Sequence, residues 1–188
     1  QVVEGEARGN KVVVKILKED ATPEEKAYFL NEVKPFRDLR HRNVMTLFGR
    51  CLDHEPYLIL FEMQSNGDLK SFLVTNRGSR SAINEQGIGL RMMTDIAEGL
   101  NYMIDNGFIH TDLAARNCLI GADLTVKIGD YGTGIELYKD EYYIVENVAI
   151  PIRWCAPETV HCTPTTIETK QVSCFTTLFH SLIKEKTE

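Results

Sequence analysis

The sequence predicts an α+β fold, on three observations. Strand-like text opens the chain, where Val12-Val13-Val14 is a β-branched run ending in Lys15 and Ile16. A helix with start signals follows from Thr22, and strand-like text returns over residues 43–63. A long amphipathic helix over residues 87–105 then precedes two short strands, Cys118–Ile120 and Thr125–Ile128.

Each element has a local cause. Arg8-Gly9-Asn10 reads as a turn before the β-branched run. Thr22-Pro23-Glu24-Glu25 offers a capping threonine, proline at the first helical position and a glutamate placed to close a capping box. Phe29, Val33 and Phe36 recur at helical spacing, with Glu32 at the edge of that stripe. Pro35 lies deep in this helix and should kink it or weaken its last turns. Asp53-His54-Glu55-Pro56 reads as a turn, and Ser65-Asn66-Gly67-Asp68 as one that starts a short helix through Leu69, Phe72 and Leu73. In the long helix Gly89, Met93, Ile96, Leu100 and Met103 line one face, and Asn106-Gly107 stops it. Gly121-Ala122-Asp123 joins the two short strands.

Composition narrows the function classes. The chain has 188 residues, 43% hydrophobic and 26% charged, as an ordinary globular domain does. The net charge of −6 argues against nucleic acid held by phosphate contacts. Five cysteines without a C-x-x-C argue against a zinc ribbon or a disulfide framework and fit a reducing, cytoplasmic compartment. No apolar run approaches a bilayer's span, so no membrane span is expected within the chain.

Three short constellations carry chemistry. His110-Thr111-Asp112 leads to Asn117 five positions after the aspartate. A carboxylate there can accept a hydroxyl proton, and the asparagine oxygen can hold a hard cation. Asp130-Tyr131-Gly132 follows a strand, where a carboxylate suits a divalent cation, and Ala156-Pro157-Glu158 comes later. Taken singly, each also reads as an ordinary turn.

Their order is the informative feature. A strand lysine (Lys15), a helix glutamate (Glu32), H-x-D-x-x-x-x-N, D-x-G and A-P-E resemble the signature set of a eukaryotic protein kinase. Asp112-Leu-Ala-Ala-Arg-Asn117 and Pro151-Ile-Arg-Trp154 resemble the tyrosine-kinase branch. Val-Val-Val-Lys15, Lys127-Ile-Gly-Asp-Tyr-Gly132 and Tyr138-Lys-Asp-Glu-Tyr-Tyr143 are similar to the lemur tyrosine kinase family, over about residues 1–173.

The resemblance implies a two-lobed kinase fold, incomplete at both ends. Residues 1–63 would be a partial small lobe without its glycine-rich loop, and 64–173 a partial large lobe without its distal helices. Residues 174–188 would be an atypical tail. It also implies transfer of the γ-phosphoryl of Mg-ATP to a protein hydroxyl, tyrosine before serine or threonine. The implied partners are ATP and a protein substrate, with no nucleic acid, and the intact parent could lie at the cytosolic face of a membrane. Lys15 would hold ATP phosphates and pair with Glu32, Asp112 would be the base, and Arg116 would stand near the transferred phosphate. Asn117 and Asp130 would hold magnesium. Val2, Val13 and Leu119 would enclose adenine, with Phe61 as gatekeeper and Glu62, Met63 and Gln64 as hinge. Phe36, Leu47, His110 and Tyr131 would stack as a regulatory spine.

Departures from the family pattern set further expectations. Thr111 replaces the arginine of H-R-D, so phosphorylation of Tyr142 or Tyr143 should have little effect through the catalytic loop. Tyr131 replaces the phenylalanine of D-F-G. With the glycine loop and distal helices missing, the chain is expected to be a weak or inactive kinase. The rival reading is a truncated or pseudokinase-like isoform acting through protein contacts.

Overall fold

The computed structural model describes residues 1–79, 87–108, 110, 112–130, 137–145 and 148–155, apart from the side chains at 24, 28, 31, 32, 35, 79, 145, 148 and 149. The architecture is α+β. Strands β1 (Val2–Ala7) and β2 (Asn10–Ile16) form an antiparallel hairpin whose turn carries Arg8 and Gly9 at φ of 53° and 76°. β3 (Leu47–Cys51) and β4 (Leu58–Glu62) complete a four-stranded antiparallel sheet in the order β1-β2-β4-β3. Directly opposed residues share a face and residues two apart return to it. The register therefore puts Val2, Val13, Lys15, Ile59, Phe61 and Leu47 on one face.

Helix α1 (Pro23–Glu32) starts as its sequence dictates. Thr22 N donates to Glu25 Oε2 (2.7 Å) and Glu25 N to Thr22 Oγ1 (3.2 Å), a complete capping box. The break expected from Pro35 falls just before it: a short helix α2 (Lys34–Asp38) follows Val33. The proline has no N–H to carry the ladder through. Phe36 from α2 meets the Phe61 ring edge-on at 5.5 Å and 82°, a favourable quadrupole arrangement.

Helix α3 (Leu69–Thr75) is capped by Asp68, whose Oδ1 accepts from Ser71 N at 2.8 Å. The long helix is α4 (Ile88–Asp105), ended by Asn106 and by Gly107 at φ 78°. Its buried face corrects the expected stripe: Met92, Asp95 and Gly99 join Ile96, Leu100 and Met103, whereas Gly89 and Met93 are only partly buried. The reason is the partner. α4 packs on β6 (Val126–Ile128), where Asp95 Oδ2 accepts from Val126 N at 2.9 Å and Gly99 lies against the Asn43 carbonyl. β6 pairs antiparallel with β5 (Cys118–Ile120), and a third small sheet pairs β7 (Tyr143–Val145) with β8 (Val148–Ile150).

One core runs through these parts, with Phe29, Val33, Phe36, Ile59 and Phe61 continuous with Met92, Ile96, Leu119 and Ile128. Cys118 is fully enclosed, and burial, with the nearby charge of Asp68, pushes its thiol up to about 12. It is thus protonated and shielded at neutral pH, whereas Cys51 is exposed. Native alkylation with iodoacetamide should label Cys51 and spare Cys118 until denaturant is added. Equal labelling rates, read by mass spectrometry, would contradict this packing. Among the described residues no helix is long and apolar enough to cross a membrane.

Candidate active site

The site lies where three segments are stitched by backbone hydrogen bonds. Asn66 N donates to Ile120 O (2.9 Å) and Ile120 N to Gly67 O (2.8 Å), tying the segment after β4 to β5. Gly129 N donates to Asn117 O (3.0 Å), which brings Asp130 beside the turn Ala115–Asn117. Asn117 Nδ2 donates to the Asp112 carbonyl (2.7 Å), fixing the carboxamide and closing the loop 112–117.

The predicted residues fall into two groups. Val2, Val13 and Lys15 share the sheet face described above, and Leu119 sits buried in β5. Lys15 is itself buried. Asp112, Arg116, Asn117 and Asp130 form the second group. Glu32 closes α1, but its side chain lies outside the described residues, so its pairing with Lys15 stays a proposal. Thr111, Tyr131, Ala156-Pro157-Glu158 and the tail from Cys174 lie outside them as well. Glu62 ends β4 and turns its carboxylate to Lys127 of β6, both oxygens at 2.9 Å from Nζ, while its Oε1 also accepts from Thr46 N (2.6 Å). Met63 N donates to Lys11 O (3.4 Å). Gln64 is buried beside Gly121.

Of the expected spine, Phe36 is buried, Leu47 lies opposite Phe61 and His110 reaches the loop. Its Nδ1 accepts from Asp112 N (3.2 Å), so the proton resides on Nε2, which is buried without a partner among the described residues. Burial lowers the His110 pKa, against the pull of Asp130 and Asp112, and keeps the ring neutral.

Arg116 organises the second group, its side chain wholly enclosed. Nη2 pairs with Asp112 Oδ1, Nη1 donates to Glu141 Oε2 (2.6 Å) and Nε donates to the Tyr142 hydroxyl oxygen (2.7 Å). The guanidinium also lies over two rings, 4.5 Å from Tyr142 and 4.4 Å from Trp154. A buried guanidinium needs this many partners, because burial without them is costly.

Sequence reasoning singled out Tyr142 only as a phosphorylation position and missed its contact with the catalytic loop. Its hydroxyl donates to Asp112 Oδ2 at 2.5 Å. Burial and that carboxylate raise its pKa, so the phenol stays protonated. Tyr142 and Tyr143 are therefore not equivalent loop residues: Tyr143 is 66% exposed. The segment around them is docked on α3. Lys70 Nζ pairs with Glu141 and lies 4.1 Å from the Tyr138 ring centroid. The Tyr138 hydroxyl donates to Asp68. The only sequence signal for this docking is the run of tyrosines and acids over 138–143.

A buried strand lysine, and a loop carboxylate, asparagine and strand-end aspartate gathered at one loop, are the residue types that a protein kinase site calls for. The chain belongs to the protein tyrosine and serine/threonine kinase family, whose sequence profile matches residues 1–185. It is 41% identical over 150 residues to the human serine/threonine-protein kinase LMTK1, a match covering 79% of this chain and 11% of that protein. Mouse serine/threonine-protein kinase LMTK3 is 40% identical over 153 residues, covering 78% of the chain and 11% of that protein. The Drosophila melanogaster tyrosine-protein kinase transmembrane receptor Ror is 37% identical over 150 residues, covering 79% and 22%. The chain thus spans about a tenth of the length of the LMTK relatives.

Proposed function

We propose that this chain carries the catalytic centre of a protein kinase that transfers the γ-phosphoryl of Mg-ATP to protein tyrosine. One observation carries the acceptor: the Tyr142 phenol rests on Asp112 with Arg116 on the same oxygen. That is the contact an acceptor hydroxyl makes with a general base. A phenol held protonated would lose its proton as its oxygen bonds to phosphorus, and Asp112 Oδ2, its hydrogen-bond acceptor, would take it. The relatives include both serine/threonine and tyrosine kinases, so the phenol in the site is what favours tyrosine.

The remaining roles follow from donor chemistry. Lys15, buried on the sheet face it shares with Val2 and Val13, would supply the cation for ATP phosphates and pair with Glu32. Val2, Val13 and Leu119 would enclose the base, with backbone groups of Glu62 and Met63 at its edge. Asn117 and Asp130 fit a magnesium ion: a fixed amide and a carboxylate are hard oxygen donors, and magnesium completes its shell with water and phosphate. Bound magnesium would neutralise phosphate charge. Residues 1–63 and 64–173 would serve as the two lobes, with 174–188 a tail, at the cytosolic side of a membrane in the longer protein.

In this arrangement Tyr142 blocks the place of an incoming acceptor. A phosphate on Tyr142 could not remain against the Asp112 carboxylate, because like charges repel at that distance. Its modification would therefore act through the catalytic loop after all, by Asp112 and Arg116 rather than by Thr111.

The test is phosphate transfer by the full chain with Mg-ATP and a tyrosine peptide, compared with Asp112→Asn. Loss of the base should cut the rate roughly 10²- to 10⁴-fold. Transfer unaffected by the substitution, or directed to serine or threonine alone, would refute the assignment. A magnesium-dependent nucleotide thermal shift with no transfer would favour the non-catalytic reading.

A further inference from the structure

The chain carries a net charge of −6, yet one stretch of its surface collects cations. Lys34 and Arg37 are exposed on α2, and Arg40 and Arg42 are exposed just beyond it. Arg40 Nη1 donates to Phe36 O (3.3 Å) and Leu39 O (2.7 Å), so a guanidinium closes the helix end. Hydrogen bonds from Thr125 and, more weakly, the charge of Arg42 hold the Asp123 carboxyl below its ordinary range, which places Arg42 near the turn between β5 and β6. Arg91, exposed in the first turn of α4, donates from Nη2 to the carbonyl of the same Asp123 (3.5 Å). These cations share the surface from α2 to the start of α4 with two exposed acids, Asp38 and Asp123. The remainder of the chain is therefore more acidic than its total.

The turn that carries Arg40 and Arg42 is anchored. Arg40 N donates to the Tyr102 hydroxyl oxygen of α4 (3.0 Å), and the His41 ring stacks on the Tyr102 ring at 4.8 Å and 19°. Asn43 N donates to His41 Nδ1 (3.1 Å). The apolar side chains of the same segment are turned inward: Val33, Phe36, Leu39, Val44 and Met45 are buried. Among its described residues the exposed ones are all charged. A stable protein interface is built around a desolvated apolar core, and this segment offers no residue for one. An anionic bilayer asks for none, because it attracts exposed Lys and Arg by charge alone.

We propose that the face formed by Lys34, Arg37, Arg40, Arg42 and Arg91 docks the chain on a bilayer surface rich in anionic phospholipid. Negative headgroups attract this face and repel the more acidic remainder, so the chain meets the bilayer in one orientation. The attraction is spread over point charges and seats no single headgroup in a pocket. It falls off within a Debye length, about 8 Å in physiological salt, and weakens as salt rises. None of the residues assigned to phosphate transfer takes part, and the docking stands whether or not phosphate is transferred.

Vesicle sedimentation of the full chain tests it. The vesicles are phosphatidylcholine alone, or phosphatidylcholine with about a quarter phosphatidylserine. The chain should sediment with the anionic vesicles at low salt and stay in solution with the neutral ones. Arg37→Gln and Arg42→Gln should each weaken partitioning about fivefold, and together about twenty-five-fold, as independent charges do. Arg8→Gln removes an exposed cation from the turn between β1 and β2 and should change partitioning less than about twofold. Thermal melts of the variants should match the parent, since each altered side chain is exposed. Soluble glycerophosphoserine should not displace the chain.

No sedimentation with anionic vesicles at low salt, equal sedimentation with neutral ones, or equal losses in Arg8→Gln and Arg37→Gln would overturn the proposal. Displacement by glycerophosphoserine would replace the docking face with a headgroup pocket and overturn it as well. Binding to an aspartate- and glutamate-rich peptide but not to vesicles would overturn it in favour of an acidic protein partner.

Discussion

Arg116→Lys is expected to destabilise the chain by roughly 3 kcal/mol and to release residues 137–145 from the site. The substitution keeps the charge, so Coulomb attraction alone predicts a small effect. Geometry predicts a large one. The guanidinium makes three directed contacts at once, to Asp112, Glu141 and the Tyr142 oxygen, while lying over the Tyr142 and Trp154 rings. An ammonium on a flexible stem is a point charge and cannot present three N–H vectors in one plane. Two carboxylates and a phenol would then lose directed partners in a partly dry site. Denaturant melts give the stability change, and amide exchange at Glu141 and Tyr142 should accelerate at least tenfold, the equivalent of about 1.4 kcal/mol. A loss below about 0.5 kcal/mol with unchanged exchange would mean that charge alone, without the fork, holds the segment.

The second large effect is expected at Gly99 in α4. Glycine in a helix interior is ordinarily a liability, and alanine there gains about 0.5–1 kcal/mol. Here the sign should reverse. A Cβ on Gly99 would overlap the Asn43 carbonyl oxygen and lie 3.1 Å from its carbonyl carbon. That carbonyl cannot retreat, because it accepts from Ile128 N at 2.8 Å, and the Asn43 side chain is pinned by donation to Val126 O at 2.9 Å. Gly99→Ala should therefore cost roughly 2–3 kcal/mol, the range of overpacking against a neighbour that cannot move. A stabilised Gly99→Ala variant in thermal or denaturant melts would show that α4 does not approach residue 43 this closely.

Features with local causes were legible in the sequence. The capping box at Thr22 and Glu25, the stop at Asn106-Gly107 and the break before Pro35 are decided within a few residues. The loop 112–117 and Asp130 were legible for the same reason, as short motifs whose geometry the backbone supplies. The buried face of α4 was half legible. Ile96, Leu100 and Met103 follow apolar periodicity, but Asp95 and Gly99 are buried by what lies opposite them, a strand N–H and a close backbone. Periodicity registers hydrophobicity and is blind to both. The docking of residues 138–142 was not legible, because it depends on α3 and the catalytic loop meeting in space across some seventy positions, as in Lys70 with Glu141. Alternating acids and tyrosines signal exposed polarity as readily as a ligand for buried cations.

The segment 43–45 lies in the chain between α2 and β3, yet its backbone belongs to β6. Met45 N donates to Ile128 O, Ile128 N donates to Asn43 O, each at 2.8 Å, and Val44 bridges to Ile128 in parallel. Ancestry and assembly need not follow that order of residues. A chimera that takes residues 1–63 from another kinase imports a foreign edge for β6 and a foreign seat for Gly99. One that leaves residues 43–45 with their own α4 and β6 keeps both. The natural seam for exchanging the small sheet is thus discontinuous in sequence, passing on either side of three residues that the opposite half has claimed.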